Sequence, residues 1–401
     1  VLTEDQLQVA EPAAAVGVGR RVLLVAHALP PHLGGIEVIV EQEAEALSRF
    51  GADVTVLTSS WGSTKGPPAS ATAASWAAWE RRTVPALNLL EDRFGVPFPL
   101  FGPSLLTAAV RAVQRVDVVH VHDVFYLSSL AAALAARAWH KPLVLSQHVD
   151  LIPHSSRLVV AAQKAVFRTY GRLLFSQASR LFVVNDRVAD FVAAAGAHAE
   201  RIEFLPTGVD TAAFRPPHDG EAVRIRRDLG LPEDRVLVLF AGRFVPKKNF
   251  GLLAACAHPD YDLVFVGGDR RPTETAANGG RRHFLGSVPR EQMGEMYRAV
   301  DVFCLPSRGE GFPLTVQEAM ASGLPVVTSD DDAYRRYALP PSTIAFVAPR
   351  QADLTAALLR LARDRTTMDS MGRNAGAYAR EHFSWDKHAR RLLEVYREVQ
   401  G

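Results

Sequence analysis

Two doubly wound, parallel-sheet domains of the α/β class are what this 401-residue chain predicts, on three observations. Short apolar runs rich in β-branched residues alternate with helical stretches along most of its length. One Pro-rich joint interrupts the alternation, and beyond it a fresh apolar strand starts the same pattern again.

The elements follow in order. "RVLLVAHA" reads as a strand, "GGIEVIVEQEAEALSRFG" as an amphipathic helix ended by Gly51, and "DVTVLTS" as the next strand. Residues 60–104, rich in Ala, Pro and Trp, are expected as long loops and short helices over one face. Regularity returns with "VDVVHVHD", the Ala-rich helix of "SSLAAALAARAWH", "PLVLSQH", a helical stretch around 156–178, "RLFVVND" and "RIEFLP". The joint is "PTGVDTAAFRPPHDG". After it come "RVLVLFAG", the helix "FGLLAACAHP", "YDLVFVGG", "RHFLG", "DVFCLP", "PVVTS" and "TIAFVAP". The last stretch, "FSWDKHARRLLEVYREV", is apolar at Trp385, Ala389, Leu392, Leu393 and Tyr396, which is helical spacing.

Composition narrows the function classes. Hydrophobic residues at 48% and charged residues at 22% fit a globular chain, and a formal net charge of +2 argues against nucleic acid as a partner. Two cysteines, Cys256 and Cys304, lie in separate apolar runs and suggest a reducing compartment rather than a disulfide framework. No apolar run approaches the ~18 residues of a membrane span. "VLTEDQLQVAEPAAAVGVG" carries acids where a signal peptide carries bases, so it reads as a disordered cytoplasmic leader.

Candidate chemistry gathers at strand ends. In "FAGRFVPKKNF", Arg243 and Lys248 flank a loop turned by Pro246, with Asn249 available to cap the next helix. Two cations beside a helix start suit a phosphate pair. Taken alone, two solvated loop charges explain them better. No Walker loop or G-x-G-x-x-G accompanies them, which removes the main support for an ATPase or a dinucleotide enzyme. "GEGFPLTVQEAMASGLPVV" brackets Glu310 with Gly309 and Gly311, then places Glu318 on the helix that Pro313 starts. Open α/β sheets bind ligands at such strand ends. The amides around Phe312, Leu314 and Thr315 can hold an anion or a sugar hydroxyl, so two acids beside them suit a nucleotide sugar. In the first half, "HALPPHLGGIE" puts Gly34 and Gly35 directly before a helix, where a ligand can approach backbone N–H groups. "VVHVHDVF" carries His120 and His122 on one face of a strand, and "SQH" adds His148 at another strand end. His120 reads as a core histidine and His122, nearer the loop, as facing a cleft. A zinc site would ask for a third ligand, for which the sequence shows no obvious position.

With these pieces assembled, the chain resembles the retaining family-4 glycosyltransferases of the GT-B fold. The resemblance rests on "PPHLGGIE", "DVVHVHD", "LPTGVDTAAFRP", "AGRFVPKKN", "FVGGD", "FLGSVPREQMGEMYRAVDVFCLPS", "EGFPLTVQEAMASGLPVV" and "FSWDKHARRLLEVY", in that order. It implies two Rossmann-like domains facing each other across a cleft: an acceptor-side domain at 20–206, a linker at 207–217 and a nucleotide-sugar domain at 218–382. The leader would span 1–19, and the final helix, 383–401, would return to the first domain. By the same resemblance Arg243 and Lys248 hold the donor diphosphate, Glu318 takes the ribose hydroxyls and Glu310 lies by the transferred sugar. Gly35, with Gly34, approaches the diphosphate from the facing domain. Gly286, Val288 and Pro289 meet the base through main-chain atoms, and Gly311, Phe312, Pro313, Leu314 and Thr315 complete the donor cradle. His122 lines the catalytic cleft, and Glu37 and His148 stand on the acceptor side. The chain departs from its resemblance in two places: "TSDDDAYRRYALP" stands where relatives often carry Gly-Gly, and Thr207 where they often carry Asn. The acids at 330–332 are read as a surface turn.

The expected function is therefore a retaining, metal-independent hexosyltransferase without a cofactor. Its co-substrate would be a UDP-sugar, with GDP-mannose as the other choice, and its acceptor a sugar, an aminocyclitol or a lipid-linked glycan. The expected location is cytoplasmic, with a peripheral contact at the inner membrane face left open for "RLVVAAQKAVFRTYGRLLF". Two alternatives compete: a metal-dependent hydrolase using His120, His122 and His148, and a non-catalytic sugar-nucleotide-binding protein.

Overall fold

Near-continuous runs of Val, Leu and Phe bury strands on both faces, which is the condition for a parallel sheet covered by helices. The computed structural model describes residues 19–32, 34–60, 79–94, 96–151, 156–309 and 312–400. Most of the expected leader lies outside the described residues.

The first half contains β1 (Arg21–Val25), β2 (Asp53–Ser59), β3 (Trp79–Val84), a short β4 (Ala86–Leu87) and β5 (Leu100–Phe101) ribbon, β6 (Val118–His122), β7 (Leu143–Gln147), β8 (Arg180–Val183) and β9 (Ile202–Phe204). Apart from the ribbon they form one sheet in the order β3-β2-β1-β6-β7-β8-β9, and its recorded pairings are parallel. The second half contains β10 (Val236–Ala241), β11 (Tyr261–Val266), β12 (Arg270–Thr275), β13 (Arg281–Gly286), β14 (Val302–Leu305), β15 (Val326–Ser329) and β16 (Ile344–Val347). Their order is β12-β13-β11-β10-β14-β15-β16, parallel except for the edge strand β12. Both sheets are Rossmann-like, and each reverses its winding once, between β1 and β6 and between β10 and β14. Ligands of such sheets lie outside the carboxyl ends of the strands at that reversal.

Beyond the short β4–β5 ribbon, which also falls in residues 60–104, two sheet strands correct the sequence reading. β3 lies in the stretch expected as loops and short helices. "WERRTV" has no apolar run because it is an edge strand, with only Val84 buried. β12, "RRPTET", is exposed throughout, and an edge position tolerates its Pro272. The helix expected over "FGLLAACAHP" is limited to Phe250–Ala254. The stretch around 156–178 is helical, with a π-turn at Phe167–Gly171 between two α-helices. Its apolar side chains Phe167, Leu174 and Phe175 are core, while Leu158 is exposed. Among the described residues no helix is long and apolar enough to cross a membrane.

The final helix, Trp385–Glu398, packs on the first helix, Gly35–Arg49, where Trp385, Leu392, Leu393 and Tyr396 share a core with Ile39, Val40 and Leu47. The chain thus passes between the sheets twice, and the two passages touch: Val209 N–H donates to Phe383 O at 2.9 Å. An added Cβ on Gly208 would sit 2.4 Å from the Trp385 ring, so the crossing is tight. Thr207, one of the two departures noted above, has a partner: Gln317 Nε2 donates to its Oγ1 at 2.8 Å, and both are buried.

Candidate active site

Both loops at the β10/β14 reversal carry candidates, and the backbone ties them together. After β10, Gly242 takes φ +151° and the chain turns through Arg243 into a 3-10 turn at Pro246–Lys248. Arg243 is exposed, and the Lys248 stem runs beside Gly242. Gly267 at the end of β11 has φ +115°, and a Cβ there would fall 2.1 Å from Gly242 O. Only glycine lets the two backbones meet. Asn249 does not cap the following helix with its side chain; its backbone is left-handed at φ +56°, where a capping residue ordinarily takes an extended conformation.

The loop after β14 is held from two sides. Arg308 N–H donates to Lys247 O at 3.0 Å, and Gly309 N–H donates to Asp331 Oδ2 at 2.9 Å. Glu310 and Gly311 lie outside the described residues. Phe312 is buried against Tyr334, Tyr337 and Phe383. Pro313 then caps the helix Leu314–Ala321 from the N-cap position, and no side chain closes that end. Val316 N–H donates to Pro313 O at 3.0 Å, so among the described residues the amides of Leu314 and Thr315 are the ones left to an anion. Thr315 Oγ1 is buried with no hydrogen-bond partner among the described residues.

Glu318, one turn along, is 5% exposed. Tyr297 O–H donates to its Oε2 at 2.9 Å, and Arg290 NH1 donates to Oε1 at 3.1 Å. Both donors lie on the helix Arg290–Arg298, directly after Gly286, Val288 and Pro289. Gly286 has φ +78°, and its carbonyl accepts from Gly267 N–H at 2.8 Å, joining this segment to the Arg243 loop.

Asp331 is more than part of a surface turn, which corrects that expectation. Its Oδ1 caps the 3-10 segment Asp332–Tyr337 through Ala333 N–H at 3.0 Å, while its Oδ2 holds Gly309. Arg187 of the first half approaches Oδ1 at 3.8 Å and pairs with Asp150 at 3.0 Å. Tyr337 O–H donates to Val184 O at 2.7 Å and Arg336 pairs with Asp186 at 2.9 Å, so this segment ties the second half of the chain to the loop and helix that follow β8 in the first.

At the β1/β6 reversal the glycine pair opens the helix Gly35–Arg49. A Cβ on Gly35 would meet nothing within 4 Å, whereas one on Gly34 would strike the Glu37 carboxylate. Glu37, expected to stand on the acceptor side, has a buried carboxylate. It is 2% exposed and turned inward, bonded to His32 and 3.2 Å from His27. Burial alone would raise its pKa, but hydrogen bonds from the two imidazoles outweigh it and bring it to about 2.

The histidines are also inward. His122 is fully buried, with Nδ1 3.1 Å from His148 Nε2 and Nε2 3.5 Å from Glu43 Oε1, so the expectation that its ring lines the cleft is corrected. The alternation of "VVHVHD" identifies the ring's face, but that face is covered by the first and final helices. His148 is 8% exposed, and burial pushes its pKa down to about 3. His120 is a core histidine bonded to Tyr396 O–H at 2.7 Å and Ser146 Oγ at 2.8 Å. Glu43, on the first helix, is the group the sequence reading missed. It faces His120 at 3.2 Å and His388 of the final helix at 3.1 Å. Burial opposes its charge, yet the surrounding imidazoles hold its pKa well below the usual range. Glu43, His120 and His122 lie close enough to share an ion, as do His27, His32 and Glu37. Asp123, next to His122, has φ +59° and is fully buried. Desolvation raises its pKa to about 7 against hydrogen bonds from His148 and Val149 N–H.

Comparison with known proteins bears on what this arrangement serves. Residues 33–213 match the family described as Glycosyltransferase Family 4, and residues 222–378 match Glycosyl transferases group 1. A D-inositol 3-phosphate glycosyltransferase of Xylanimonas cellulosilytica is 32% identical, over 91% of this chain and 92% of its own. The chain belongs to the GT-B glycosyltransferases. A second relative with the same description, from Acidothermus cellulolyticus, is 30% identical over 98% of this glycosyltransferase and 93% of its own length. Two solved structures share the fold with a TM-score of 0.73. Sucrose-phosphate synthase of Thermosynechococcus elongatus is 19% identical, covering 95% of this chain and 99% of its own. Anabaena HepE, in complex with UDP and glucose, is 17% identical, covering 94% and 100%. With glycosyltransferase relatives spanning nearly the whole chain, the hydrolase alternative is not favoured.

Proposed function

We propose that this glycosyltransferase moves a hexose from a nucleotide diphosphate sugar, a UDP-sugar first, to an acceptor hydroxyl with retention and without a metal ion. The observation that carries the reading is the junction of the two β10/β14 loops, where Arg308 N–H meets Lys247 O. That junction brings the Arg243–Lys248 loop alongside the strand end that leads to the uncapped helix start at Leu314. Two cations and free amides at one topological reversal suit a diphosphate.

In the reaction the anomeric C1–O bond to the diphosphate breaks and the acceptor oxygen bonds to C1 on the same face. The acceptor proton passes to an oxygen of the departing diphosphate, whose added charge Arg243 and Lys248 neutralise. Glu318 takes the ribose hydroxyls, Glu310 steadies the sugar, and the open face of Gly35 lets the donor approach the first helix. His122 acts through His148, which it touches and whose backbone N–H holds Asp123, rather than by contact with the sugar.

The names of the two curated relatives make a phosphorylated cyclitol the first acceptor class to try, ahead of other sugars, aminocyclitols and lipid-linked glycans. The experiment is a thermal-shift panel of UDP- and GDP-sugars, followed by mass detection of product with inositol phosphates and the other classes. A UDP-hexose should raise the melting temperature and yield a glycoside. Absence of any nucleotide-induced shift would overturn the reading, and binding without turnover on any acceptor would favour a sensor.

A further inference from the structure

We infer that Tyr297 and Arg290 determine the ribose selectivity of this enzyme, by holding the Glu318 carboxylate in the orientation that accepts a vicinal diol. The inference rests on the proposed role of Glu318 and deepens it.

An ionised carboxylate has about four lone-pair positions, two on each oxygen. Tyr297 O–H uses one on Oε2 and Arg290 NH1 one on Oε1, at 2.9 and 3.1 Å. Each oxygen keeps one position, and two neighbouring hydroxyls supply one donor each. The match works only while the carboxylate cannot rotate, and its two partners are themselves held. Tyr297 is fully buried, edge-on to Phe214 at 5.7 Å, and Arg290 lies over the same Phe214 ring at 5.7 Å. Burial keeps the Tyr297 phenol protonated, so it remains a donor. Arg290 opens the helix that follows Pro289, so the turn proposed to meet the base also orients the acid proposed to meet the ribose.

A nucleotide lacking the 2′-hydroxyl would leave one of those positions unpaired in a nearly buried site, and such sites reject the analogue. Had Tyr297 and Arg290 only a helix-tying role, their loss would lower stability without changing that preference. The readout is therefore a ratio of affinities.

The test is calorimetric titration of UDP and 2′-deoxy-UDP, with GDP and 2′-deoxy-GDP as a second pair, into the parent, Tyr297→Phe, Arg290→Ala and Arg290→Lys. The parent should prefer the ribonucleotide by about tenfold or more. Tyr297→Phe and Arg290→Ala should weaken UDP with little change for 2′-deoxy-UDP, so the ratio falls toward unity; Arg290→Lys should recover part of it. Arg290 is partly exposed at a helix start, so its variants test the inference even where Tyr297→Phe fails to fold. An unchanged ratio in the folded variants overturns the inference. A parent that prefers neither nucleotide overturns the assignment of Glu318 to ribose.

Discussion

Asp331 holds Gly309 in place: its Oδ2 accepts the Gly309 N–H at 2.9 Å while Oδ1 caps Ala333 at 3.0 Å. One carboxylate thus anchors the loop after β14 to a segment that also bonds the first half of the chain through Tyr337 and Arg336. If that loop serves the donor sugar, Asp331→Ala should lower kcat about tenfold or more, through misplacement of the reacting groups. UDP affinity should stay within a factor of a few. Steady-state kinetics beside UDP titration checks it; equal losses in both would mean that the loop contributes to nucleotide binding instead.

Arg243→Ala and Lys248→Ala should each leave the melting temperature near that of the parent, since both lie in a loop. Each should cost about 2–4 kcal/mol in the transition state, by removing a charge-assisted contact to the leaving group. Single-turnover rates at saturating donor measure this. Rates within a few-fold of the parent would remove the diphosphate assignment.

Two glycines separate ligand approach from backbone packing. Gly35→Ala places a methyl in open space at a helix start, so stability should be unchanged or raised by about 0.5–1 kcal/mol. Donor affinity should fall if the donor comes close there. Gly267→Ala adds a Cβ 2.1 Å from Gly242 O at φ +115° and should destabilise by about 2 kcal/mol or more. Melting curves and donor titration on both variants decide; unchanged donor affinity in Gly35→Ala would take that glycine out of the site.

Asp123 gives a pH dependence with a definite sign. Its pKa is raised from 3.8 to about 7, chiefly by desolvation, so between these values the native state binds a proton that the unfolded state has lost. Stability contributed through this group therefore falls as pH rises through that window. Asp123→Asn removes the effect and should gain on the parent by up to about 3 kcal/mol between pH 5 and 8. Glu41, also pushed up to about 7 by burial, is present in both proteins and largely cancels. Denaturant titrations at the two pH values test it, and a constant difference would show that Asp123 is ionised throughout.

Much of the fold was legible because a buried parallel strand has to be apolar along its length. "VLVLFA", "YDLVFV" and "DVFCLP" therefore announced themselves, and Gly and Pro marked the turns between them. β3 and β12 escaped because edge strands need no such run. At the candidate site, the loop bearing Arg243 and the helix bearing Glu318 could be found from local spacing. Asp331, Arg290, Tyr297 and Glu43 could not, since each acts on a group brought to it by the fold: Glu43 meets His388 across 345 positions. His122 shows the remaining limit. Alternation along a strand assigns a side chain to a face, but what covers that face is decided by helices far away in sequence.

The central claim is that protein cations and helix amides, rather than a metal ion, support a same-face transfer. Proton NMR of the newly formed anomeric linkage, recorded with and without EDTA, tests it most directly. The account predicts an α-linked product from an α-linked donor, formed at the same rate in chelator. An inverted anomer, or activity lost in EDTA and restored by zinc or manganese, would contradict it.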